Sequence, residues 1–349
     1  MNEAYRADAL ARFATELFYR AGLPAEAART TADVLLEGDL IGHTTHGLAL
    51  LEPYLKQFRG GTWSPSGEPT VIAETEVAQT WDGCRLSGPW LVTRAATWAA
   101  GRAREAGLAS VVIGRAGHIG CLAAYLRPVA VAGQLIVLAC SDPAAASVAP
   151  FGGTRRLFTP NPLAAGWPSP GGPVLIDVSM SITTNGMTNR LRAEGATFDH
   201  PWLLDAAGQP TTDPEAFFRD GTLQPLGGSE AGHKGYALAL LIEALTSGLA
   251  GAGRVTRPTD WGASVTVLVL DPARFAGAAA FAAEAEWMAG QVATNPPADA
   301  NQPPRLPGAR ALALRAEQLA HGVRLHPSIP PVLARLAAEA GLAMPQLIG

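Results

Sequence analysis

The stretch Ser110-Val111-Val112-Ile113 opens the part of the sequence that decides the fold, and Leu135-Ile136-Val137-Leu138 repeats its pattern further along. Both are short apolar runs of the kind that form buried strands. Between them, residues 120–132 have the apolar spacing of a helix. The same alternation recurs elsewhere, with apolar runs at 174–176 and 265–270 and helical candidates at 89–106, 234–249 and 272–289. Short strands that alternate with longer helices predict a mixed α/β domain.

Helical patterns occupy both ends of the chain, at 10–18, 25–40, 46–58, 310–320 and 330–342. Pro53 lies inside the third run, where it is expected to bend the helix or remove one hydrogen bond. We therefore expect a helical substrate-binding and dimerisation domain built from residues 1–70 and 300–349. An α/β domain of residues 71–299 is expected to be inserted between its two parts.

Two segments are irregular in pattern. Residues 141–173 are rich in proline, and so long an irregular segment within a compact domain is more often functional than idle. Residues 295–307 read as a linker that leads back to helical structure.

Composition excludes several classes of protein. The chain has 349 residues, 48% hydrophobic and 16% charged, a globular balance. Its net charge is −4 and no basic block stands out, so a nucleic-acid partner is not expected. The three cysteines cannot make a disulfide framework, and they fit a reducing compartment. No apolar stretch is long enough to span a bilayer, and the charged first residues lack the apolar core of a signal peptide, so we expect a soluble cytoplasmic protein without a membrane partner.

Several common catalytic motifs are missing from the sequence. No G-x-G-x-x-G follows a strand, and there is no G-x-x-x-x-G-K-[ST], H-E-x-x-H, paired C-x-x-C or G-x-S-x-G. The usual dinucleotide turn, the Walker-type phosphate loop and the serine-hydrolase elbow are therefore not predicted.

Two histidines begin the third helical run. His43 and His46 would share one helical face and could bind a metal, but no third ligand accompanies them, and a surface capping role fits His43 better. His46, between Thr45 and Gly47, would sit at a helix start, where an imidazole has a lowered pKa and can transfer protons near neutrality. A purely structural histidine is the alternative interpretation.

His118 lies between Gly117 and Gly120, directly after the Val111 strand. The glycines let the backbone approach a ligand closely, and a following helix start favours an anion such as a phosphate. An exposed histidine in a glycine-rich turn is the alternative. A zinc site of His118, Cys121 and Cys140 is conceivable, but its spacing matches no regular pattern, and we predict no metal site.

Two further motifs stand at loops. Thr159-Pro160-Asn161-Pro162-Leu163 is stiffened by its prolines, which leave Asn161 as the only side-chain amide of the turn. Gly232-His233-Lys234-Gly235 opens an apolar helix, where the lysine could meet a phosphate or a carboxylate. A structural turn and a simple loop-to-helix junction would look much the same.

The order of these motifs along nearly the whole chain, from about residue 5 to 345, resembles the type-2 malate/L-lactate dehydrogenase family. The resemblance rests on six motifs: Gly42-His43-Thr44-Thr45-His46-Gly47, Gly117-His118-Ile119-Gly120, Thr159-Pro160-Asn161-Pro162, Ile176-Asp177-Val178-Ser179, Gly232-His233-Lys234-Gly235-Tyr236 and Leu306-Pro307-Gly308. It implies a non-Rossmann, mixed-sheet NAD(P)-binding domain, a homodimer, and NADH or NADPH as cofactor with the preference undetermined.

The resemblance also implies roles for individual residues. His46 would be the acid that protonates the substrate carbonyl or imine, with Thr45 where the family usually has serine and His118 completing the catalytic set. Tyr54, two turns along the same helix, would face the substrate. The cofactor would be lined by His118, Ile119, Gly120, Cys121, Leu122, Thr159, Pro160, Asn161, Pro162, Leu163, Ala164, Asp177, Val178, Ser179, Lys234, Gly235 and Gly308.

The sequence departs from the family pattern at two substrate positions. Many members carry an arginine where this chain has Leu50, and an aspartate of the imine-reducing branch falls at or near Met187. Arg190 and Arg192 follow closely and could replace the missing charge. The expected substrate is a small 2-oxo or 2-hydroxy acid or a cyclic imino acid. A less anionic carbonyl or imine, or an inactive ligand-binding scaffold, is the alternative.

Overall fold

The computed structural model describes residues 4–348, which form a seven-stranded sheet, a small three-stranded sheet and helices around them. The strands are β1 Thr70–Glu74, β2 Ala78–Asp82, β3 Leu108–Ala116, β4 Leu135–Ser141, β5 Leu163–Trp167, β6 Val174–Val178, β7 Leu203–Leu204, β8 Pro210–Thr211, β9 Thr222–Leu223 and β10 Ala263–Leu270. The α-helices are α1 Ala7–Arg20, α2 Ala25–Leu40, α3 Leu51–Arg59, α4 Gly88–Ala106, α5 Leu126–Val131, α6 Asn185–Glu194, α7 Glu215–Phe218, α8 Gly228–Glu243, α9 Ala278–Thr294, α10 Ala309–His321 and α11 Ile329–Ala340.

The large sheet is mixed, as the sequence predicts. Its strand order is β1-β2-β3-β10-β4-β5-β6, and within residues 4–348 only the β2–β3 pair is parallel. The central strand β10 buries Val265, Val267 and Val269 completely. Antiparallel pairing through the centre excludes the doubly wound parallel sheet that a glycine fingerprint would serve.

The strongest apolar patterns form the elements that the sequence predicts. The predicted strands at 110–113, 135–138, 174–176 and 265–270 are the cores of β3, β4, β6 and β10. Helix α4 has a proline in its first turn, ends at Gly107 with φ of +91°, and packs against β3 and β10. These agreements confirm the α/β prediction.

The third helical run differs from the prediction. A 3-10 turn at Leu48–Leu50 precedes α3, so Pro53 lies in the first turn of α3. A proline there has no intrahelical N–H to lose, which removes the expected bend. His43 and His46 lie in the turn that follows α2, so the prediction of a shared helical face was wrong.

Several elements escaped the sequence patterns. Strand β5 lies inside the segment predicted as irregular. It was missed because Leu163-Ala164-Ala165-Gly166-Trp167 has no β-branched residue and prolines flank it. Strand β1 is exposed along its whole length and has no apolar alternation to reveal it. Helix α6 and the small sheet of β7, β8 and β9 were also missed.

The two ends of the described chain meet each other, and α10 is hydrogen-bonded to the end of α2. Tyr5 pairs with Val323 and Leu347 in isolated bridges. Gln318 of α10 donates to the carbonyl groups of Asp39 and Leu40 at 2.9 and 3.0 Å. The domain boundaries stay predictions, and residues 1–3 and 349 of the expected helical domain lie outside the described residues. Between residues 4 and 348, the structure has no helix with the length and apolar character needed to cross a membrane.

Candidate active site

The turn that carries His46 is fixed to the end of α2. The backbone N–H of His46 donates to the carbonyl of His43 at 2.8 Å. Asp39 is buried, and its Oδ2 accepts from the N–H of Leu48 at 2.6 Å. Gly47 passes so close to this carboxyl group that any Cβ would collide with it. Burial raises the pKa of Asp39 to about 7, against the opposing effects of the Leu48 hydrogen bond and Arg190.

The His46 ring has one nitrogen engaged. Its Nδ1 lies 2.8 Å from Thr45 Oγ1, and the ring is half-buried. Burial lowers the pKa of His46, Asp177 opposes this effect, and His43 adds to it. The sequence predicts a lowered pKa from a helix start, but the physical cause in the structure is burial. Because Nδ1 is held by Thr45, Nε2 is the nitrogen left to act on a ligand.

His118 lies beside His46 in a different environment. The two ring centroids are 6.1 Å apart. The backbone N–H of Gly120 donates to His118 Nδ1 at 3.3 Å, and the Tyr54 hydroxyl lies 2.7 Å from the same nitrogen. Since a backbone N–H can only donate, Nδ1 is an acceptor and the neutral ring carries its proton on Nε2. Burial and His46 lower the pKa of His118 to about 3, so the ring is neutral at physiological pH.

Aromatic side chains pack against the His118 ring and hold it in place. Trp261 stacks on the imidazole with centroids 4.7 Å apart, and its carbonyl accepts from Trp63 Nε1 at 2.7 Å. Tyr54 is fully buried and packs on Trp63 at 4.9 Å. Burial holds the pKa of Tyr54 well above its usual value, so its hydroxyl stays protonated and donates to His118. Tyr54 belongs to α3 whereas His46 precedes that helix, which corrects the expectation that both share one helix.

Helix α6 closes the other side of the His46 turn. A Cβ at Gly186 would lie 3.2 Å from Thr45 Cβ, so the first turn of α6 rests on Thr45. The guanidinium of Arg190 donates twice to Thr44 Oγ1 at 3.2 Å. Arg192 is engaged elsewhere, with Glu215 at 2.7 Å and the Phe218 ring at 4.0 Å. Of the two arginines predicted as replacement charges, Arg190 is the one held at this turn.

The two departures from the family pattern occupy different positions at this turn. Leu50 is half-buried at the end of the 3-10 turn and packs against the core. Met187 is partly exposed in the first turn of α6, next to Gly186, and its N–H donates to Thr184 Oγ1 at 3.1 Å. Neither side chain offers a charge.

Three of the predicted cofactor segments converge on β6. Asp177 Oδ2 accepts from the N–H of Ala123 at 2.9 Å and lies 3.7 Å from Cys121 Sγ. Across the β5–β6 pair, Ala164 faces Asp177 and Leu163 faces Val178. The structure therefore brings together 121–123, 163–164 and 177–178. The neighbouring side chains of Ile119 and Leu122 are buried in the core.

The proline-rich loop is tied to the same edge. The carbonyl of Pro160 accepts from the N–H of Met180 at 2.7 Å and from Ser179 Oγ at 3.4 Å. Asn161, at φ of +44°, is fully buried, and its Nδ2 donates to Ala239 O at 3.1 Å and Glu243 Oε1 at 3.0 Å. The side chain of Asn161 thus holds the loop to α8.

Gly308 and the Lys234-Gly235 pair reach this edge through backbone contacts. Gly308 has φ of +83°, and a Cβ there would lie 2.8 Å from Leu175 Cβ, so its backbone is pressed onto β6. Gly235 packs on Leu226, whose N–H donates to Met180 O at 2.8 Å. The Lys234 side chain is exposed, and its ammonium group makes no hydrogen bond or ion pair with any residue between 4 and 348.

The sequence missed several residues of this region. Trp261 and Trp63 form the aromatic packing behind His118, and Asp39 supports the turn, but none belongs to a pattern that could reveal it. His43 meets Cys121 and Asp177, with one donor atom from each within 4.8 Å of the others. Neither His43 with His46 nor His118 with both Cys121 and Cys140 forms such a group among the described residues.

Comparison with known proteins places the chain in a family. The family model for malate/L-lactate dehydrogenase matches residues 5–333. The L-sulfolactate dehydrogenase of Methanothermobacter thermautotrophicus is 35% identical over 246 residues, 70% of each chain. The delta(1)-pyrroline-2-carboxylate reductase of Pseudomonas fluorescens is 32% identical over 335 residues, 91% of this chain and 94% of the other.

A solved structure gives the same fold. The malate dehydrogenase of Entamoeba histolytica superposes with a TM-score of 0.92 at 23% identity, over 99% of this chain and 100% of the other. The family match, which this fold agrees with, defines an oxidoreductase that works with a nicotinamide cofactor, NADH or NADPH. The chain belongs to the malate/L-lactate dehydrogenase family, as its motif order predicts, and it is a dehydrogenase or reductase of small acids.

Proposed function

We propose that this enzyme transfers a hydride between NAD(P)H and a small 2-oxo or 2-hydroxy acid or a cyclic imino acid, with His46 as the proton donor and acceptor. The proposal rests on the different environments of the His46 and His118 rings. His46 is held through Nδ1 by Thr45, which leaves Nε2 to face a substrate. Hydride addition to a carbonyl builds negative charge on oxygen, and a positioned imidazole can supply the proton.

His118 supports the site as a neutral hydrogen-bond donor. Its Nδ1 is occupied by Gly120 and Tyr54, so Nε2–H is the only group it can offer. Its pKa of about 3 keeps it from exchanging protons near neutrality. We therefore propose that His118 orients the substrate oxygen or nitrogen and that Tyr54 orients His118.

The residues along β6 fit a nicotinamide dinucleotide. Val178 exposes an apolar face at the sheet edge, and Lys234 is an exposed cation without a partner in the described chain. An apolar face suits a ring, and an unpaired lysine suits a phosphate. When bound, the cofactor supplies the hydride. The proposed contacts are Thr159 to Ala164, Asp177 to Ser179, His118 to Leu122, Lys234, Gly235 and Gly308.

Arg190 is the proposed partner of the substrate carboxylate. It is part-buried at the turn of His46, where a charged hydrogen bond is stronger than in water. Thr44 is the only hydrogen-bond partner of its guanidinium among the described residues. Two relatives are named for acids, sulfolactate and pyrroline-2-carboxylate, and a guanidinium is a favourable partner for a carboxylate. A less anionic carbonyl or imine is the second candidate, because Leu50 and Met187 make the region around the turn more apolar.

We also propose that the enzyme is a cytoplasmic homodimer. Helix α8 exposes Leu238, Leu240 and Leu241, and α9 has no buried residue. Apolar helix faces of this kind mark surfaces that a second subunit can cover. Sedimentation of the purified protein tests this part of the proposal, and a monomer would remove it.

Fluorescence titration with NADH and, in parallel, NADPH tests the central proposal. Saturable binding of either names the cofactor and leads to a turnover screen of 2-oxo acids, cyclic imines and uncharged ketones. Turnover of acids by the wild type and its loss in His46→Ala is the expected result. Cofactor binding without turnover of any of these compounds would instead support the inactive scaffold.

A further inference from the structure

The side chains of His43, Cys121 and Asp177 meet where the His46 turn reaches β6. One donor atom from each lies within 4.8 Å of the other two, and Cys121 Sγ is 3.7 Å from Asp177 Oδ2. Imidazole nitrogen, thiolate sulfur and carboxylate oxygen are the ligands that bind Zn²⁺ in proteins. Over residues 4–348, no second trio of histidine, cysteine and acidic side chains is gathered in this way.

The trio can close around an ion with small movements. Zinc bonds of about 2.0–2.3 Å place tetrahedral ligand atoms roughly 3.3–3.8 Å apart. The three donor atoms lie within 4.8 Å of one another, so their separations exceed that spacing by about 1.5 Å at most. His43 and Asp177 are half-buried, and the His43 ring has no hydrogen-bond partner in the described chain. Cys121 is buried and held in place, so the two more accessible ligands would move toward its sulfur.

We propose that His43, Cys121 and Asp177 bind a thiophilic divalent cation, Zn²⁺ or Cd²⁺, and that the bound ion inhibits the enzyme. The thiol proton passes to solvent as the metal–sulfur bond forms, and no electron is transferred. A water completes the fourth position, since three protein ligands leave a tetrahedral site open.

The inhibition follows from what the ion would cover, and this part rests on the proposed function. Cys121 and Asp177 belong to the edge proposed for the cofactor, and His43 belongs to the turn of the proposed proton donor. An ion held by all three would occupy the junction between cofactor and substrate. Zn²⁺ should therefore compete with NAD(P)H.

Direct binding of Cd²⁺ tests the site without any assay of activity. Cadmium added to the full-length protein should produce the ultraviolet absorption of a cadmium–thiolate bond, with one ion bound per chain. Cys121→Ser should abolish this band, whereas Cys84→Ser, a control at the partly exposed free cysteine, should retain it. A band that depends on Cys84 and survives in Cys121→Ser would overturn the proposal.

A second pair of variants guards against misfolding at the buried cysteine. His43→Ala should weaken Cd²⁺ binding by at least the roughly 10–100-fold that loss of an outer partner costs a metal site. His321→Ala, at an exposed histidine of α10, should leave the affinity unchanged. Equal affinities in these two variants would remove His43 from the site.

Inhibition is measured separately. Zn²⁺ should raise the apparent KM for NAD(P)H in the wild type and in Cys84→Ser, and a chelator should restore activity. The effect should vanish in His43→Ala. Cd²⁺ binding without competition would leave the metal site standing, disprove its inhibitory role, and speak against Cys121 and Asp177 as cofactor contacts.

Discussion

His46 and His118 lie with ring centroids 6.1 Å apart, and the chain surrounds them in different ways. His118 is stacked on Trp261 and has its Nδ1 saturated by Gly120 and Tyr54. His46 meets polar and charged neighbours, Thr45, His43 and Asp177. Burial lowers the pKa of both rings, but only His46 has a carboxylate nearby that opposes the effect. The difference teaches that neighbouring imidazoles can divide the work, one exchanging a proton and the other fixing orientation.

Removal of the His46 ring gives the largest expected effect. His46→Ala should lower kcat by about 10²–10⁴-fold, the usual contribution of a general acid, roughly 3–5 kcal/mol. The dissociation constant of NAD(P)H should hardly change. Steady-state kinetics and fluorescence titration check both values against His321→Ala as a control. If His46→Ala turned over as fast as the wild type, the proton donor would have to be another group.

The two arginines after Met187 form a matched pair. Arg190→Ala should raise KM for an acid substrate about 10–100-fold, since a charged hydrogen bond is worth roughly 1.5–3 kcal/mol. Arg192→Ala should leave KM nearly unchanged, because Glu215 and Phe218 already engage that side chain. Equal KM values in the two variants would favour the less anionic substrate.

The pH profile of the reaction tests the protonation of His46 and the role of Thr45. Reduction needs protonated His46, so its rate should fall as pH rises through a pKa below the ordinary 6.5, while the reverse oxidation should gain in the same range. Thr45→Val should move this pKa and lower kcat about 2–10-fold, whereas Thr45→Ser should retain both. Identical pH–rate profiles in Thr45→Val and the wild type would show that Thr45 does not tune the pKa of His46.

Loss of the Tyr54 hydroxyl should have the smallest effect. Tyr54→Phe removes the 2.7 Å hydrogen bond to His118 but leaves that of Gly120. The free energy of unfolding should fall by about 0.5–1.5 kcal/mol and kcat by a modest factor. Urea unfolding checks the first value, with Tyr19→Phe as an exposed control. A loss of kcat as large as that of His46→Ala would contradict the minor orienting role assigned to the Tyr54 hydroxyl.

The sequence predicts elements and motifs whose signal is local. The valines of β3 and β10 mark buried strands, and the glycines around His46 and His118 mark close backbone approaches. The motif order then identifies the family. Strand β1, being exposed, carries no such signal.

Contacts between distant residues could not be predicted in the same way. Tyr54 and His118 are 64 positions apart, and Arg190 reaches Thr44 over 146. No periodicity records such pairings, because they arise only when helices pack. The substrate contact that the resemblance implies for Tyr54 stays a prediction, and no sequence pattern reveals its hydrogen bond to His118.

Rescue of a His46→Gly variant by free imidazole tests the central claim most directly. If His46 is the proton donor, added imidazole should restore reduction of a 2-oxo acid or cyclic imine in proportion to its protonated form, and substituted imidazoles should follow their own basicity. The account predicts this rescue in His46→Gly and none in His118→Gly. Rescue of His118→Gly alone would contradict the division of roles between the two rings.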